Sequence, residues 1–120
     1  MATDDTCCTI VPYFEVQSGK MEEFKALCER FVAKTGEESD CLYYGFSFDG
    51  DVAHCREGYV NAEGLLAHIE NVGPLLAEAS RISEIIRLEV HGPRSELDKL
   101  REPLAAINPQ FFTLELGFRR

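Results

Sequence analysis

Residues 41–60 read CLYYGFSFDGDVAHCREGYV. Two runs rich in aromatic and β-branched residues, 41–48 and 52–60, flank Asp49-Gly50, a dipeptide that favours a two-residue hairpin turn. Alternation sends Leu42, Tyr44, Phe46 and Phe48 to one face and Cys41, Tyr43, Gly45 and Ser47 to the other. This hairpin decides the fold because a helical pattern stands on each side of it. Upstream, Met21, Phe24, Leu27, Cys28, Phe31 and Val32 recur at helical spacing over 19–35. Ser18 is a candidate cap for that helix and Gly36 a candidate left-handed residue after it. Downstream, Leu65, Leu66, Ile69 and Val72 predict a helix over 62–72; Gly73-Pro74 interrupts it, and Pro74 restarts a short helix to about Ser80.

Strands complete the pattern at both ends. Residues 9–16 are β-branched and aromatic, although Pro12 cannot donate a ladder hydrogen bond and so points to an edge or bulged position. Residues 84–91 place Ile86, Leu88 and Val90 on one face and Arg87, Glu89 and His91 on the other. The order β-α-β-β-α-β is the ferredoxin-like, α+β pattern: an antiparallel sheet with both long helices on one face. This core spans residues 9–91. Residues 93–120 form a C-terminal α-β extension: a helix from Ser95, which makes a capping-box spacing with Asp98, a kink at Pro103, and a strand over 110–118. The 120 residues suit one domain.

The net charge of −9 argues against nucleic-acid binding, which needs basic residues to neutralise phosphates, and against an anionic membrane surface. Residues 41–80 carry six acids and one base, Arg56. No apolar run approaches the ~18 residues of a membrane span. The start, Met1-Ala2-Thr3-Asp4-Asp5, lacks the basic and apolar regions of a signal peptide. Five cysteines without CxxC spacing read as free thiols of a cytoplasmic protein, and no metal motif is visible.

A sheet with helices on one side leaves the other side bare. Tyr13, Val11, Tyr43 and Tyr59 are expected there, too much apolar surface to leave uncovered. A second copy stacked sheet to sheet would cover it, which predicts a homodimer, with the strand over 110–118 added to the partner's sheet edge. On the second long helix, Asn61, Gly64, His68 and Asn71 follow one flank of the buried stripe. That flank either meets a small ligand lying between helix and sheet or is a solvated border. Glu57 and Tyr59 share a strand face. Glu57 either orients His68 in such a cleft or pairs with a cation at the dimer seam.

From about residue 10 to residue 90 the chain resembles the antibiotic biosynthesis monooxygenase-like family of dimeric α+β barrels. The resemblance rests on Ser18-Gly19-Lys20 leading into a helix with Glu22-Glu23-Phe24, and on the aromatic strand that follows. Its most specific part is residues 56–68, REGYVNAEGLLAH: a strand with a Glu and an aromatic two apart, then a helix whose first turns end in Ala-His. The resemblance implies a cofactor-independent monooxygenase of a small aromatic, phenol- or quinol-like molecule; the alternative is a non-catalytic dimeric module that binds a small apolar ligand. One departure is the lack of any Trp, which the haem-degrading members and the best-understood polyketide oxygenases use in the pocket.

Such an oxygenase needs a base to make an electron-rich phenolate or enolate, donors for its oxyanion, and a dry apolar pocket. His68 and Glu57 are the candidate catalytic residues. Tyr43, Tyr59, Asn61 and Asn71 are the candidate substrate-binding residues. Neither a cofactor nor a metal is expected.

Overall fold

The computed structural model describes residues 4–120, so Met1–Thr3, part of the start read above as lacking a signal peptide, lie outside the described residues. The elements are β1 (Cys8–Val16), α1 (Met21–Thr35), β2 (Cys41–Asp49), β3 (Val52–Tyr59), α2 (Ala62–Ala79), β4 (Ser83–Gly92), α3 (Arg94–Leu100), a 3-10 turn (Ala105–Ile107) and β5 (Gln110–Thr113). They form one five-stranded sheet in the order β2-β3-β1-β4-β5, antiparallel except for the β4–β5 pair. The α+β, ferredoxin-like order is the one expected. Among the described residues no helix is long and apolar enough to cross a membrane.

Alternation along β1 sends Cys8, Ile10, Pro12, Phe14 and Val16 under the helices. One apolar cluster joins Phe14 and Val16 to Phe24, Leu27 and Phe31 of α1 and Val72 and Leu75 of α2. A second joins Cys8, Ile10 and Val90 to Tyr59, Leu65, and Leu97 and Leu100 of α3. The third helix therefore packs on the helical side and leaves the other face of the sheet open. That face carries Tyr13 stacked on His54 at 4.4 Å and His91 stacked on Phe112 at 4.7 Å. There the Arg56 guanidinium also lies 4.8 Å over the Tyr43 ring.

Several local expectations are corrected. Pro74 does not split α2, which runs unbroken over 18 residues; the proline removes one backbone donor but its neighbours hold the helix. Gly36 closes α1 in a right-handed conformation, its N–H bonding to Val32 O. Neither Ser18 nor Ser95 caps: α1 begins after Lys20 and α3 after Pro93. A bulge at Leu42 turns Cys41 toward Tyr59. An irregularity beside Ile86 gives Ile85, not Ile86, to the helical side. The last strand covers only Gln110–Thr113, not 110–118, and lies parallel to β4 of its own chain as the outermost strand of the sheet. Tyr59 is fully buried under α2 rather than on the open face, because it shares a strand face with buried Glu57.

Candidate functional site

The site begins where β3 runs into α2. Asn61 caps α2, its Oδ1 accepting from Gly64 N at 2.9 Å. The buried Glu96 carboxylate from α3 takes the next orphan donor, Ala62 N, at 2.9 Å. A side chain at Gly64 would meet Asp40 Cβ at 3.0 Å. The missing side chain there admits the turn before β2 rather than a ligand, and Val60 N–H bonds Asp40 O to hold that turn in place. The close approach brings Glu38 over α2.

There Glu38 meets His68, which is 3 % exposed. His68 Nδ1 lies 2.9 Å from Glu38 Oε2, and Asn71 Nδ2 donates to the same oxygen at 2.8 Å. On the other side His68 Nε2 lies 3.3 Å from Glu57 Oε1. Tyr59 OH donates to that Glu57 oxygen at 2.6 Å. Tyr44 and Tyr59 flank the imidazole, with ring centres at 5.2 and 5.0 Å. The result is a continuous line, Asn71–Glu38–His68–Glu57–Tyr59, that runs from the half-buried Asn71 and Glu38 to the buried His68, Glu57 and Tyr59.

Burial decides where the protons sit. It pushes the Glu57 carboxyl up to about 7, against the lowering effect of hydrogen bonds from Tyr59 and Cys55. It lowers His68, with Glu38 partly holding the pKa up. A neutral His68 must donate from Nδ1 to the Glu38 carboxylate, which can only accept. Its Nε2 lone pair then faces Glu57, whose proton is half present near neutral pH. The pair can take up a proton at Nε2 and release one from Glu57 without large changes of charge.

Both groups line one end of a cavity of about 230 Å³ between the helices and the sheet. Phe24 and Phe31 of α1, Ile10, Pro12 and Phe14 of β1, and Ile69, Val72 and Leu76 of α2 make its walls. Cys55 also faces it, its thiol pushed up by burial. Among the described residues no group of three or more His, Cys, Asp or Glu side chains is arranged to hold a metal ion.

Of the expected site residues, His68, Glu57 and Tyr59 converge, and Asn71 joins them through Glu38. Only His68 and Glu57 of these line the cavity: Tyr59 and Asn71 act through Glu57 and Glu38, Tyr43 lies across Gly58 on the open face, and Asn61 serves as the helix cap. Glu38 and Tyr44 were missed. Tyr44 was already legible, since alternation put it beside Phe46. Glu38 sits in a turn that has no periodicity to read.

No family model matches the chain, and no curated protein matches it. Among solved structures, MupZ from Pseudomonas fluorescens is 52% identical, with a TM-score of 0.95 over 100% of this chain and 94% of that one. A protein of Nitrosomonas europaea provisionally named an antibiotic biosynthesis monooxygenase is 13% identical, with a TM-score of 0.69 over 78% of this chain and 96% of that one. One of Caulobacter crescentus with the same provisional name is 20% identical, with a TM-score of 0.64 over 72% of this chain and 88% of that one. The last two likenesses show the fold alone. With MupZ as a relative across its whole length, the chain belongs to the antibiotic biosynthesis monooxygenase-like family of dimeric α+β barrels.

Proposed function

We propose that this protein is an enzyme that performs general acid–base chemistry on a small, mainly apolar molecule held between α1, α2 and the sheet. The observation that carries the reading is the buried His68–Glu57 pair at the end of an apolar cavity, backed by Glu38 on one side and Tyr59 on the other. In this reading Nε2 of His68 is the base, Glu38 holds the imidazole in the productive tautomer, and Glu57 with Tyr59 stores or returns the proton. Positioned proton transfer of this kind contributes ~10²–10⁴-fold in rate.

A second reading is the cofactor-independent monooxygenation of a phenol- or quinol-like molecule, favoured by the provisional names of the two fold relatives. Proton removal by His68 would leave an electron-rich anion that itself reduces dioxygen. The ring C–H para to the phenolate becomes C=O: one oxygen atom enters the product, and the other leaves as water with that hydrogen and the phenol proton. The open sheet face, with Tyr13, Val11 and the Tyr43–Arg56 pair, supports a homodimer through that face. The free thiols support a reducing, cytoplasmic setting.

The test is a panel of phenols, hydroquinones and small carbonyl compounds incubated under air and under nitrogen, with products read by mass spectrometry. Turnover that drops ~100-fold or more in His68→Ala supports acid–base catalysis. Dependence on air selects the monooxygenase form. Equal rates in wild type and His68→Ala remove His68 from the mechanism, and ligand-induced thermal stabilisation without turnover makes the protein a binding module.

A further inference from the structure

The cavity has a direction. Its inner end holds Glu57 on β3 and His68 on α2, 5 % and 3 % exposed. Its outer end lies over β4, where Ile85 and Ile107 are 47 % and 49 % exposed and Leu88 is half-buried. Between β3 and β4 stands β1, so the two ends are separated by two strand spacings, ~10 Å.

Polarity follows the same direction. Along the way the floor is β1 hydrocarbon and the roof is the apolar stripe of α2. Near the mouth, the Ser80 and Ser83 hydroxyls spend their protons on α2 carbonyls, at 2.7 Å to Ala77 O and 2.7 Å to Ala79 O. Proton-exchanging groups therefore meet a ligand only at the inner end, while the opening is apolar. A single ring occupies a cavity of ~150 Å³; placed against His68 in about 230 Å³, it leaves the stretch toward β4 empty.

We infer that the ligand is a small molecule with one polar, proton-exchanging head and a flexible alkyl arm. The head sits at His68 and Glu57, and the arm leaves across β4 between Ile85 and Ile107. The orientation of the head rests on the acid–base reading; the arm rests on the cavity alone. Ile107 is then a specificity residue. It is contributed by the 3-10 turn that closes at left-handed Asn108, so the C-terminal extension helps to form the mouth.

The test is calorimetric titration of the full chain with para-alkylphenols from methyl to octyl. Affinity is expected to rise about fourfold per added methylene, corresponding to ~0.8 kcal/mol for each buried CH2, and to level off once the arm passes the mouth. Ile107→Trp and Ile85→Trp, two substitutions at exposed positions, are expected to cost the octyl compound tenfold or more and to leave the methyl compound unchanged. Affinity that does not vary with chain length overturns the inference, as does an equal loss for every member in both variants. Turnover of this series by His68→Ala separates the two ideas. If affinity climbs with chain length while His68→Ala turns over like wild type, the arm stands and the acid–base reading falls. If affinity is flat while turnover still requires His68, the arm falls and the acid–base reading stands.

Discussion

Glu57→Gln removes a carboxyl whose burial is felt in the stability of the whole chain. Folding moves this group from 4.5 to about 7, and its side chain is 4% exposed, so solvent screens little of the effect. Between those values the folded protein keeps a proton that the unfolded chain has released. Stability therefore falls as pH rises, by ~1.4 kcal/mol per pH unit, and flattens above the folded value. Across the window the loss is about 3 kcal/mol. His68 runs the other way: its folded pKa is depressed, so its contribution is present above its usual value of 6.5 and is lost as pH falls. His68 touches Glu57, so the difference between their curves reports the Glu57 proton together with its contact to His68. Urea unfolding followed by circular dichroism at one protomer concentration is expected to show Glu57→Gln gaining about 3 kcal/mol on wild type from pH 4.5 to pH 7. Parallel curves would refute the buried, proton-holding Glu57 on which the site depends.

Three further outcomes follow from other contacts. Glu38→Ala removes the group that holds the His68 pKa up, so ring-proton NMR should show His68 titrating at still lower pH; an unmoved titration would break the Glu38–His68 link. Gly58→Ala places a Cβ 2.5 Å from the far end of the half-buried Tyr43 side chain, which must swing aside, and is expected to cost ~0.5–1.5 kcal/mol in urea unfolding. Tyr43→Ala in the same chain should recover part of that loss, and strictly additive losses would count against the clash. Glu96→Ala leaves Ala62 N–H without its carboxylate and should cost ~1–3 kcal/mol at neutral pH. Because the Glu96 pKa is depressed, the contribution is present above the usual carboxylate range and fades as pH falls through the lowered value. A thermal and urea profile identical to wild type would rule out the cap.

The fold was legible because its signals are periodic. Asp49-Gly50 between alternating strands and the apolar stripe of α1 each point to one element, the stripe of α2 points to a helix whose full length Gly73-Pro74 concealed, and their order leaves one topology. What escaped is what breaks a period. The bulges at Leu42 and Ile86 add one residue and reverse a face, and no residue type announces them. Within β3, Glu57 and Tyr59 were correctly read as facing the same way. Composition, however, assigned the aromatic to the open side, because a carboxylate under two helices runs against the usual burial preference. The same rule explains the site. His68 and Asn71 showed as a polar flank on a helix, whereas Glu38 reaches them from a turn through tertiary packing made possible by Gly64. In the extension, the β-branched and aromatic content of 110–118 suggested a longer strand than the four residues that find a partner in β4.

Pro12 gives the sheet a further property. It lies in β1 between two neighbours, and the pairs Thr9–Gly58 and Tyr13–His54 flank it on the β3 side. Its ring faces the cavity, while its carbonyl is met at 2.9 Å by Nδ1 of His54, whose ring stacks on Tyr13 outside. One peptide unit thus belongs to both surfaces of a wall a single strand thick. A substitution at Pro12 would therefore be felt on both surfaces, since it would take a ring from the cavity floor and alter the strand whose carbonyl holds His54.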